Sequence, residues 1–432
     1  MQQCLITFWI ECAEGRVLRD PKVKNNYFTK PDRRPPRSPD RGEIEDILKL
    51  YGKKDFPYTA LADICGAKIE LRTNSEHVYE FWKLNWFLAD EDEPDGTIYV
   101  VNGIEGYTPH LYYNFKKRKI LIVNCEYYGA AKSAGALGLA GVILEERGKY
   151  PIHGACVGIP KGEVNEGVII IAPTGTGKTS QFHELIYNVP SAKIHSDDYV
   201  FVSFNPEPVA CATEKWLYMR TEIAINHPTF SELFHDLPLE NVVTDREKCA
   251  QKLDNPQKMG PCYRAVLKGE RECVFDMGLD RCYWSYANSR VMFPRDRFPM
   301  ITKDEKGNLV EILKGKENVI NEALVKYVLI LTRDEEKKPV KLLSCDEAIS
   351  ILKEGKFVIR PGAGPPEKWG QIGHEPFFNP YPPEINVETQ EAFFRRLYNS
   401  GAKFYMLNTG KYDGKKITIH QTHMYIRHIV EA

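Results

Sequence analysis

A glycine-rich turn between a predicted strand and a predicted helix constrains the fold of this 432-residue chain more than any other feature. The β-branched run at residues 167–171 is typical of a buried strand, and it leads directly into Ala-Pro-Thr-Gly-Thr-Gly-Lys-Thr at 172–179. Residues 180–186 then carry apolar side chains at helical spacing. This order of strand, turn and helix is the Walker A arrangement, and it predicts an α/β fold with a phosphate-binding loop. The alternative is a glycine turn that precedes a helix and binds no ligand.

The residue types in this turn suit the binding of nucleotide phosphates. Gly175 and Gly177 leave room for backbone N–H groups to approach phosphate oxygens, and a helix that begins near Lys178 directs its positive end at them. The Lys178 ammonium would neutralise the phosphates, and the Thr179 hydroxyl would bind magnesium. Ala172 stands where the usual pattern has glycine, which requires a negative φ there. The residues predicted to hold the nucleotide are Thr174, Gly175, Thr176, Gly177, Lys178, Thr179 and Ser180.

A pair of adjacent carboxylates follows this helix. Asp197 and Asp198 precede the apolar run at residues 199–202, which is typical of a strand. In a phosphate-binding fold, one carboxylate of such a pair can bind the metal ion while the other accepts a proton from the phosphoryl acceptor. The alternative is an ordinary turn, in which aspartates are common. We expect the pair to lie near Lys178 and to be functional.

The composition argues against several classes of protein. The 58 basic residues nearly balance the 59 acidic ones, so the chain lacks the positive charge expected of a dedicated nucleic-acid binder. Its apolar runs are much shorter than the ~20 residues needed to cross a bilayer, and we expect no membrane partner. The 11 cysteines include no Cys-x-x-Cys pair, which favours free thiols and a cytoplasmic protein. The oligomeric state stays open.

Length and pattern divide the chain into two predicted domains. A change in pattern near residue 150 separates an N-terminal α/β domain at 1–150 from a C-terminal nucleotide- and metal-binding domain at 151–432. Within the first, residues 97–102 and 119–124 are predicted to be buried strands. The small residues at 129–141 predict a close-packed helix.

A proline- and arginine-rich segment at residues 29–42 interrupts this pattern. Prolines at this density exclude a helix or a central strand. The segment is therefore predicted to be a solvated, extended loop. The alternative is an arm whose arginines bind an anionic substrate or partner.

Further segments carry a resemblance to a known family. Besides the turn and the aspartate pair, the chain contains Tyr-Tyr-Gly-Ala-Ala-Lys at 127–132, Ile-His-Gly-Ala-Cys at 152–156, Ala-Asn-Ser-Arg-Val-Met-Phe-Pro at 287–294, Leu-Asn-Thr-Gly at 407–410 and Gly-Lys-Lys-Ile-Thr-Ile at 414–419. In this order the segments resemble those of the ATP-dependent phosphoenolpyruvate carboxykinases, whose nucleotide-binding core is shared with HPr kinase. The resemblance covers the chain from about residue 95 to its end. It implies a two-lobed α/β fold that binds ATP together with Mg²⁺ or Mn²⁺.

The resemblance also implies roles for individual residues. His153 and Asp198 would complete the metal site with Thr179. Asp197 would accept the proton of the acceptor hydroxyl, as the first aspartate does in HPr kinase. The predicted catalytic residues are Asp197, Lys178, Arg290 at the γ-phosphoryl group and Lys132 at the phosphoryl group or the substrate. Lys416 and Thr422 fall where the family contacts the nucleotide base and ribose.

The chain departs from the family where oxaloacetate would bind. The family's Gly-Arg-Ser-Pro-Lys-Asp motif, whose arginine binds the substrate carboxylate, is missing between residues 44 and 95, and its paired lysines appear as Lys132-Ser133. A small dianion needs several cations before it leaves water favourably. We therefore predict ATP- and divalent-metal-dependent phosphoryl transfer to another acceptor, a small hydroxylated metabolite.

Other functions stay open on the sequence alone. A true carboxykinase, which converts oxaloacetate and ATP to phosphoenolpyruvate, CO₂ and ADP, would need Arg72, Arg33 or Arg37 to supply the missing charge. A kinase resembling HPr kinase would act on a protein or RNA docked at the basic segment, although the balanced net charge gives this no support. A nucleotide sensor without turnover would not need an intact base and metal ligands.

Overall fold

The computed structural model is a mixed α/β protein with several sheets, as the sequence predicts. The described residues are 35–50, 56–89, 93–173, 175–226, 228–244, 246–249, 261–278, 281–283, 289–334, 336–359, 368, 370–381 and 386–431. No helix within these ranges has the length and apolarity needed to cross a membrane.

The N-terminal part of the chain builds a first sheet. Its strands are Arg37–Pro39 (β1), Tyr58–Ile64 (β2), Ala67–Thr73 (β3), Phe87–Leu88 (β4), Gly96–Val101 (β5), His110–Asn114 (β6) and Lys119–Val123 (β7). They lie in the order β1-β6-β7-β5-β3-β2-β4. In β3 the buried Ala67, Ile69 and Leu71 alternate with partly exposed residues, as in a strand with one face on a core. The strands predicted at 97–102 and 119–124 are confirmed as β5 and β7.

A long helical segment packs against this sheet. The helices of this half are Glu43–Lys49 (α1), Glu76–Asn85 (α2), Tyr128–Ala130 (α3) and Gly138–Glu146 (α4), with a π-helix at Ala131–Leu137 between the last two. The helix predicted at 129–141 is thus confirmed, and its small residues do allow close packing. A Cβ atom at Gly138 would lie 3.1 Å from the backbone oxygen of Tyr381. The π-helical part carries Lys132, and such segments often occur at functional sites.

A second sheet positions the glycine-rich turn. Its strands are Tyr150–Ile152 (β8), Gly154–Lys161 (β9), Val164–Ile171 (β10), Lys193–Ser196 (β11), Val200–Phe204 (β12), Pro208–Ala212 (β13), Glu322–Thr332 (β19), Val340–Leu342 (β20) and Lys403–Asn408 (β23). Strand β10 lies between antiparallel β9 and parallel β19, and β23 is also parallel to β19. Parallel strands end at the same edge of a sheet, where ligands commonly bind. The turn after β10 lies at this edge.

Smaller sheets and further helices complete the described structure. A third sheet contains Trp216–Arg220 (β14), Leu239–Glu240 (β15) and Arg290–Pro294 (β16), in the order β14-β16-β15. The hairpins are Pro299–Lys303 (β17) with Leu309–Leu313 (β18), Lys356–Val358 (β21) with Ile372–His374 (β22), and Lys411–Tyr412 (β24) with Lys415–Lys416 (β25). The helices are Lys178–Asn188 (α5), Ile223–Asn226 (α6), Pro228–Leu233 (α7), Pro261–Leu267 (α8), Cys345–Glu354 (α9), Val387–Asn399 (α10) and Ile419–Glu431 (α11).

One hydrophobic core is shared by residues from both sides of position 150. It contains most of the inward residues of the first sheet and of α2 and α4, and it also includes Tyr199, Phe201, Tyr218 and Met292. Phe201 lies in the second sheet and Tyr199 directly precedes its strand β12, whereas Tyr218 and Met292 lie in the third sheet. The domain boundary near residue 150 stays a prediction, and this core couples the parts of the chain on either side of it.

The described part of the proline- and arginine-rich segment is more ordered than a solvated loop. Residues 29–34 lie outside the described residues. Residues 37–39 form β1, which pairs in parallel with the edge of the first sheet at β6. Proline is tolerated in such an edge strand. Arg37 Nη1 donates to the backbone oxygens of Pro380 and Tyr381 at 2.8 and 3.1 Å, so this arginine fixes another chain segment.

A buried lysine caps the carboxyl end of α5. Lys314 Nζ donates to the backbone oxygens of Val189, Pro190 and Ala192 at 3.3, 3.0 and 2.7 Å. Carbonyls at this end of a helix lack intrahelical donors and carry partial negative charge. Burial lowers the pKa of Lys314 to about 8. The cap thereby holds the far end of the helix whose first residue is Lys178.

We expect Lys314→Met to lower the free energy of unfolding by about 2–3 kcal/mol, because it removes the donor to the carbonyls of Pro190 and Ala192, whereas the Val189 carbonyl still accepts from Ala192 N. Since the pKa of Lys314 is lower in the folded chain, the folded state binds fewer protons between about pH 8 and the unfolded pKa of 10.5. The wild-type therefore gains stability as the pH rises through this window. Urea denaturation should show a larger loss at about pH 10 than at about pH 7. The exposed Lys316→Met serves as the control, and equal effects of the two substitutions would contradict the cap.

Candidate functional site

A cavity of about 410 Å³ lies where β10 ends. One wall is formed by Pro173, Gly175 and Gly177 of the glycine turn together with the first turn of α5. The side chains of His153, Asp198, Arg290 and Tyr381 also line it. This volume falls in the usual range for sites that bind small molecules. We call this space the turn cavity.

The glycine turn has the backbone conformation that its sequence predicts. Gly175 and Gly177 have φ values of +82° and +115°. A Cβ atom at Gly177 would meet nothing within 4 Å, so glycine is favoured there by its left-handed conformation and not by lack of space. Ala172 keeps a φ outside the left-handed region, as its methyl group requires. Thr174 lies outside the described residues. Gly177 is the residue before α5, and the predicted strand, turn and helix are therefore confirmed.

Lys178 and Ser180 reach the turn cavity from the first turn of α5, as does Thr179. The Lys178 ammonium lies 3.1 Å from Asp198 Oδ1 and 3.2 Å from the backbone oxygen of Asp198. The structure therefore brings the predicted phosphate-binding lysine and the second predicted aspartate together. The positive end of α5 and this ammonium face the same space, which makes it attractive to an anion.

Asp198 is the centre of a cluster of charged and polar side chains. Its Oδ2 atom accepts hydrogen bonds from Lys132 Nζ at 2.5 Å and from the Tyr381 hydroxyl at 2.6 Å. Burial opposes ionisation of this carboxyl, but Lys132 and Lys178 hold its pKa well below the usual value. Lys132 is fully buried and also lies 3.2 Å from Glu214 Oε1. Burial alone would lower the pKa of Lys132, yet the two carboxylates raise it, so the ammonium stays charged.

His153 presents a metal-binding nitrogen to Asp198. Its Nδ1 atom donates to the backbone oxygen of Phe378 at 2.6 Å, which leaves Nε2 as the atom with a lone pair. Nε2 lies 3.4 Å from Asp198 Oδ1. Burial and the nearby Lys178 lower the pKa of His153, so the imidazole stays neutral. A lone pair and a carboxylate oxygen that face each other suit a shared cation.

The donor set fits a magnesium or manganese ion only in part. No group of three His, Cys, Asp or Glu side chains that could hold a metal occurs among the described residues. His153 and Asp198 supply two donors, and the Thr179 hydroxyl lines the same cavity. Mg²⁺ commonly takes one or two protein ligands and completes its shell with water and substrate phosphates. The predicted ligands Thr179, Asp198 and His153 are therefore suitable for such an ion.

Asp197 lies behind the cavity wall. Its carboxyl is buried, hydrogen-bonds Thr179, and has an Oδ1 atom with no hydrogen-bond partner among the described residues. Burial raises its pKa to about 7, although the Lys178 ammonium lowers it. The negative charges of Asp198 and Glu214 act in the same direction as burial. A carboxyl with this pKa exchanges a proton near neutral pH.

Arg290 approaches the turn cavity from the third sheet. It is the first residue of β16, and its guanidinium carbon lies 5.2 Å from the centroid of the Tyr218 ring. Lys132 Nζ lies 5.8 Å from the same ring. Burial would lower the pKa of Arg290, but nearby Tyr127, Tyr218 and Asp198 raise it. Tyr218 thus forms an aromatic platform beneath two of the predicted catalytic cations.

The sequence analysis missed several side chains of the site. Glu214 is fully buried and accepts a hydrogen bond from Asn85 at 2.9 Å in addition to its ion pair with Lys132. Tyr381 follows the residue pair Phe377 and Phe378, both of which have positive φ. Glu214 belongs to none of the segments that carry the resemblance. Tyr381 lies in a proline-rich stretch without a motif.

The predicted contacts for the nucleotide base and ribose lie away from the cavity wall. Lys416 is exposed in the β24–β25 hairpin, and Thr422 is buried in α11 with its hydroxyl 3.2 Å from the backbone oxygen of Thr418. Among the described residues, Ile419 at the start of α11 is the one from this region that lines the turn cavity. The roles assigned to Lys416 and Thr422 stay predictions.

Comparisons with known proteins add no family or relative. No protein-family model matches the sequence, and a search of curated proteins finds no significant match. The function is therefore inferred from the geometry and chemistry of the turn cavity.

Proposed function

We propose that this protein transfers a phosphoryl group from ATP to an acceptor hydroxyl with the help of a divalent metal ion, on a two-lobed scaffold similar to that of the phosphoenolpyruvate carboxykinases. One observation carries the proposal. The positive end of α5, Lys178, Asp198 and Arg290 all line one cavity of suitable size. A site that only binds phosphate would not need the acidic and imidazole groups beside these cations.

Different residues of the chain would bind the nucleotide and the metal ion. The glycine turn and Lys178 would hold the phosphates of the nucleotide. His153, Asp198 and Thr179 would hold Mg²⁺ or Mn²⁺. Such an ion, when bound, neutralises phosphate charge.

The remaining groups suit the transfer step. Asp197 would accept the proton of the acceptor hydroxyl, which requires the acceptor to reach a carboxyl that does not line the turn cavity in this structure; its pKa of about 7 lets it act as a base near neutral pH. Arg290 would stabilise the charge that spreads over the phosphoryl oxygens. Lys132 is buried and does not line the turn cavity; held charged by Asp198 and Glu214, it would add to the positive potential at the phosphoryl group. The proton thus moves to a residue of this chain while the cations stay fixed.

The described arginines that the sequence analysis offered for the carboxylate of oxaloacetate are not found at the turn cavity, although Arg220 and Arg333 do line it. Arg72 donates to Glu70 at 2.8 and 3.1 Å, and Arg37 donates to backbone oxygens of Pro380 and Tyr381. Arg33 lies outside the described residues. Neither Arg72 nor Arg37 is among the described residues that line the turn cavity. A small hydroxylated metabolite needs fewer cations than a dianionic keto acid.

Incubation with ATP, Mg²⁺ and a panel of sugars, polyols and hydroxy acids tests the proposal through ADP formation. A parallel reaction with oxaloacetate measures phosphoenolpyruvate. Clear phosphoenolpyruvate formation would favour the carboxykinase over our proposal. ATP binding without ADP formation with any acceptor, including proteins and RNA, would favour a nucleotide sensor.

We expect Asp197→Asn to bind ATP with an affinity close to that of the wild-type but to lose transfer by about 10²–10⁴-fold, because the amide cannot accept the proton. Calorimetric titration measures binding, and ADP release in the presence of acceptor measures transfer. Glu305→Gln, which changes an exposed residue of the β17–β18 turn, is the control and should leave both unchanged. Transfer by Asp197→Asn at the wild-type rate would exclude Asp197 as the base.

A further inference from the structure

Arg220 lies directly opposite Arg290 at one end of the third sheet. Arg220 is the last residue of β14 and Arg290 the first of β16, and the antiparallel register pairs them. Side chains that are paired in this way stand on the same face, with Cβ atoms about 4.5–5.5 Å apart. Tyr218, two residues before Arg220, shares this face. All three side chains line the turn cavity.

This arrangement places two positive charges side by side on one wall of the turn cavity. Like charges that are directly opposite on neighbouring strands repel each other. Glu222 lies 3.5 Å from Arg220, and the buried Glu240 of β15 is paired with Arg290 on its other side. Both arginine side chains also line the cavity, so an anion bound there can contact the two guanidinium groups together.

The cavity restricts what this anion can be. The same space contains the glycine turn and the Lys178 ammonium, which suit a chain of phosphates. A phosphoryl group has three oxygens and can accept paired hydrogen bonds from more than one arginine. Glu184 and Glu222 also line the cavity, and Glu222 lies beside Arg220, so an anion is favoured only where the cationic groups outnumber these carboxylates. The end of the phosphate chain is therefore best placed between Arg220 and Arg290.

We propose that Arg220 and Arg290 form a two-arginine clamp that binds the terminal phosphoryl group of the nucleotide. This inference rests on the proposed function, since it requires that ATP binds in the turn cavity. It adds Arg220 to the residues that contact the transferred group. Arg220 was not among the residues that the sequence analysis assigned to the site.

Calorimetric titration with Mg²⁺–ATP and with Mg²⁺–ADP separates this role from others. We expect Arg220→Gln to lose about 10- to 100-fold in affinity for ATP, since charge-assisted hydrogen bonds to the terminal group are lost. Affinity for ADP, which lacks that group, should change less than about twofold. Arg220→Lys should recover part of the ATP affinity, because it keeps the charge but not the paired donors.

Two control variants show whether the effect belongs to Arg220 itself. Arg297→Gln changes an exposed arginine that follows β16 and should bind both nucleotides like the wild-type. Glu222→Gln removes the ion-pair partner of Arg220 and should retain the preference for ATP. If Glu222→Gln instead loses ATP affinity as Arg220→Gln does, Arg220 acts through its ion pair and the clamp is excluded.

Other outcomes overturn the clamp in distinguishable ways. Equal losses of ATP and ADP affinity in Arg220→Gln would assign Arg220 to the inner phosphates or the nucleoside. If Arg220→Gln left the affinity for ATP unchanged but raised the KM for the acceptor, Arg220 would bind the acceptor and not the terminal phosphoryl group. In both cases the proposed phosphoryl transfer would stand. If the wild-type protein bound neither nucleotide, the proposed function would fail together with the clamp.

Discussion

Arg290→Gln should lower the rate of phosphoryl transfer by about 10³-fold or more while the protein stays folded. Arginines that stabilise the spread charge of a transferring phosphoryl group contribute this much because no solvent molecule replaces them in a closed site. In this protein the guanidinium is held over the Tyr218 ring and near Asp198, so it is positioned before any ligand binds. Single-turnover measurements of ADP formation, with saturating ATP, would isolate the transfer step.

A substitution that keeps the charge of Arg290 tests whether charge alone is sufficient for transfer. Arg290→Lys keeps the positive charge but loses the planar pair of donors, so it should recover only part of the lost rate. Thermal unfolding of both variants checks that the third sheet is intact. A transfer rate in Arg290→Gln within a few-fold of the wild-type would show that Arg290 does not contact the reacting group.

Asp198→Ala should lower the free energy of unfolding by about 3 kcal/mol and abolish metal-dependent transfer. The stability loss follows because the substitution leaves the buried ammonium of Lys132 with one carboxylate instead of two, and removes a partner of Lys178. Removing one member of a buried ion pair commonly costs about 3–5 kcal/mol, and Asp198 is a quarter exposed, which places it at the lower end. Urea denaturation measures the loss.

Two further variants separate charge from packing at this position. Asp198→Asn keeps the shape and the hydrogen bond from Tyr381 but removes the charge, so it should lose metal-dependent transfer with a smaller packing defect. Asp63→Ala breaks the partly exposed pair with Lys68 and the hydrogen bond that Gly66 N donates to Asp63 Oδ1, and should cost about 1–2 kcal/mol. A loss in Asp198→Ala no larger than that of Asp63→Ala would contradict a central role of Asp198 in the cluster.

The local parts of the fold and the site could be predicted from the sequence. The strand β10, the glycine turn and α5 follow one another within about 25 residues, and each has its own signal in apolar pattern or glycine content. The aspartate pair likewise comes directly before a strand. Such features depend on short-range backbone preferences, which the order of residue types expresses directly.

The rest of the site depends on contacts between distant segments. Tyr381 reaches Asp198 across 183 residues, and Glu214 bonds Asn85 across 129 residues. Neither residue lies in a periodic pattern, and the backbone before Tyr381 has positive φ at Phe377 and Phe378, which no residue preference indicates. Packing of the whole chain holds this segment in place. Arg220 was missed for a similar reason, because its importance comes from strand register.

The core that joins both sides of residue 150 also limits how this molecule could be rearranged. Residues 151–432 contain the glycine turn and Asp198, whereas Lys132, which offsets the charge of Asp198, comes from the preceding half. The ring of Tyr218 likewise packs against Phe81 and Tyr128 of the preceding half. We therefore expect that the later half, joined to a foreign partner, would keep Lys178 but lose the second counter-ion of Asp198, and would expose the apolar side chains that the first half covers.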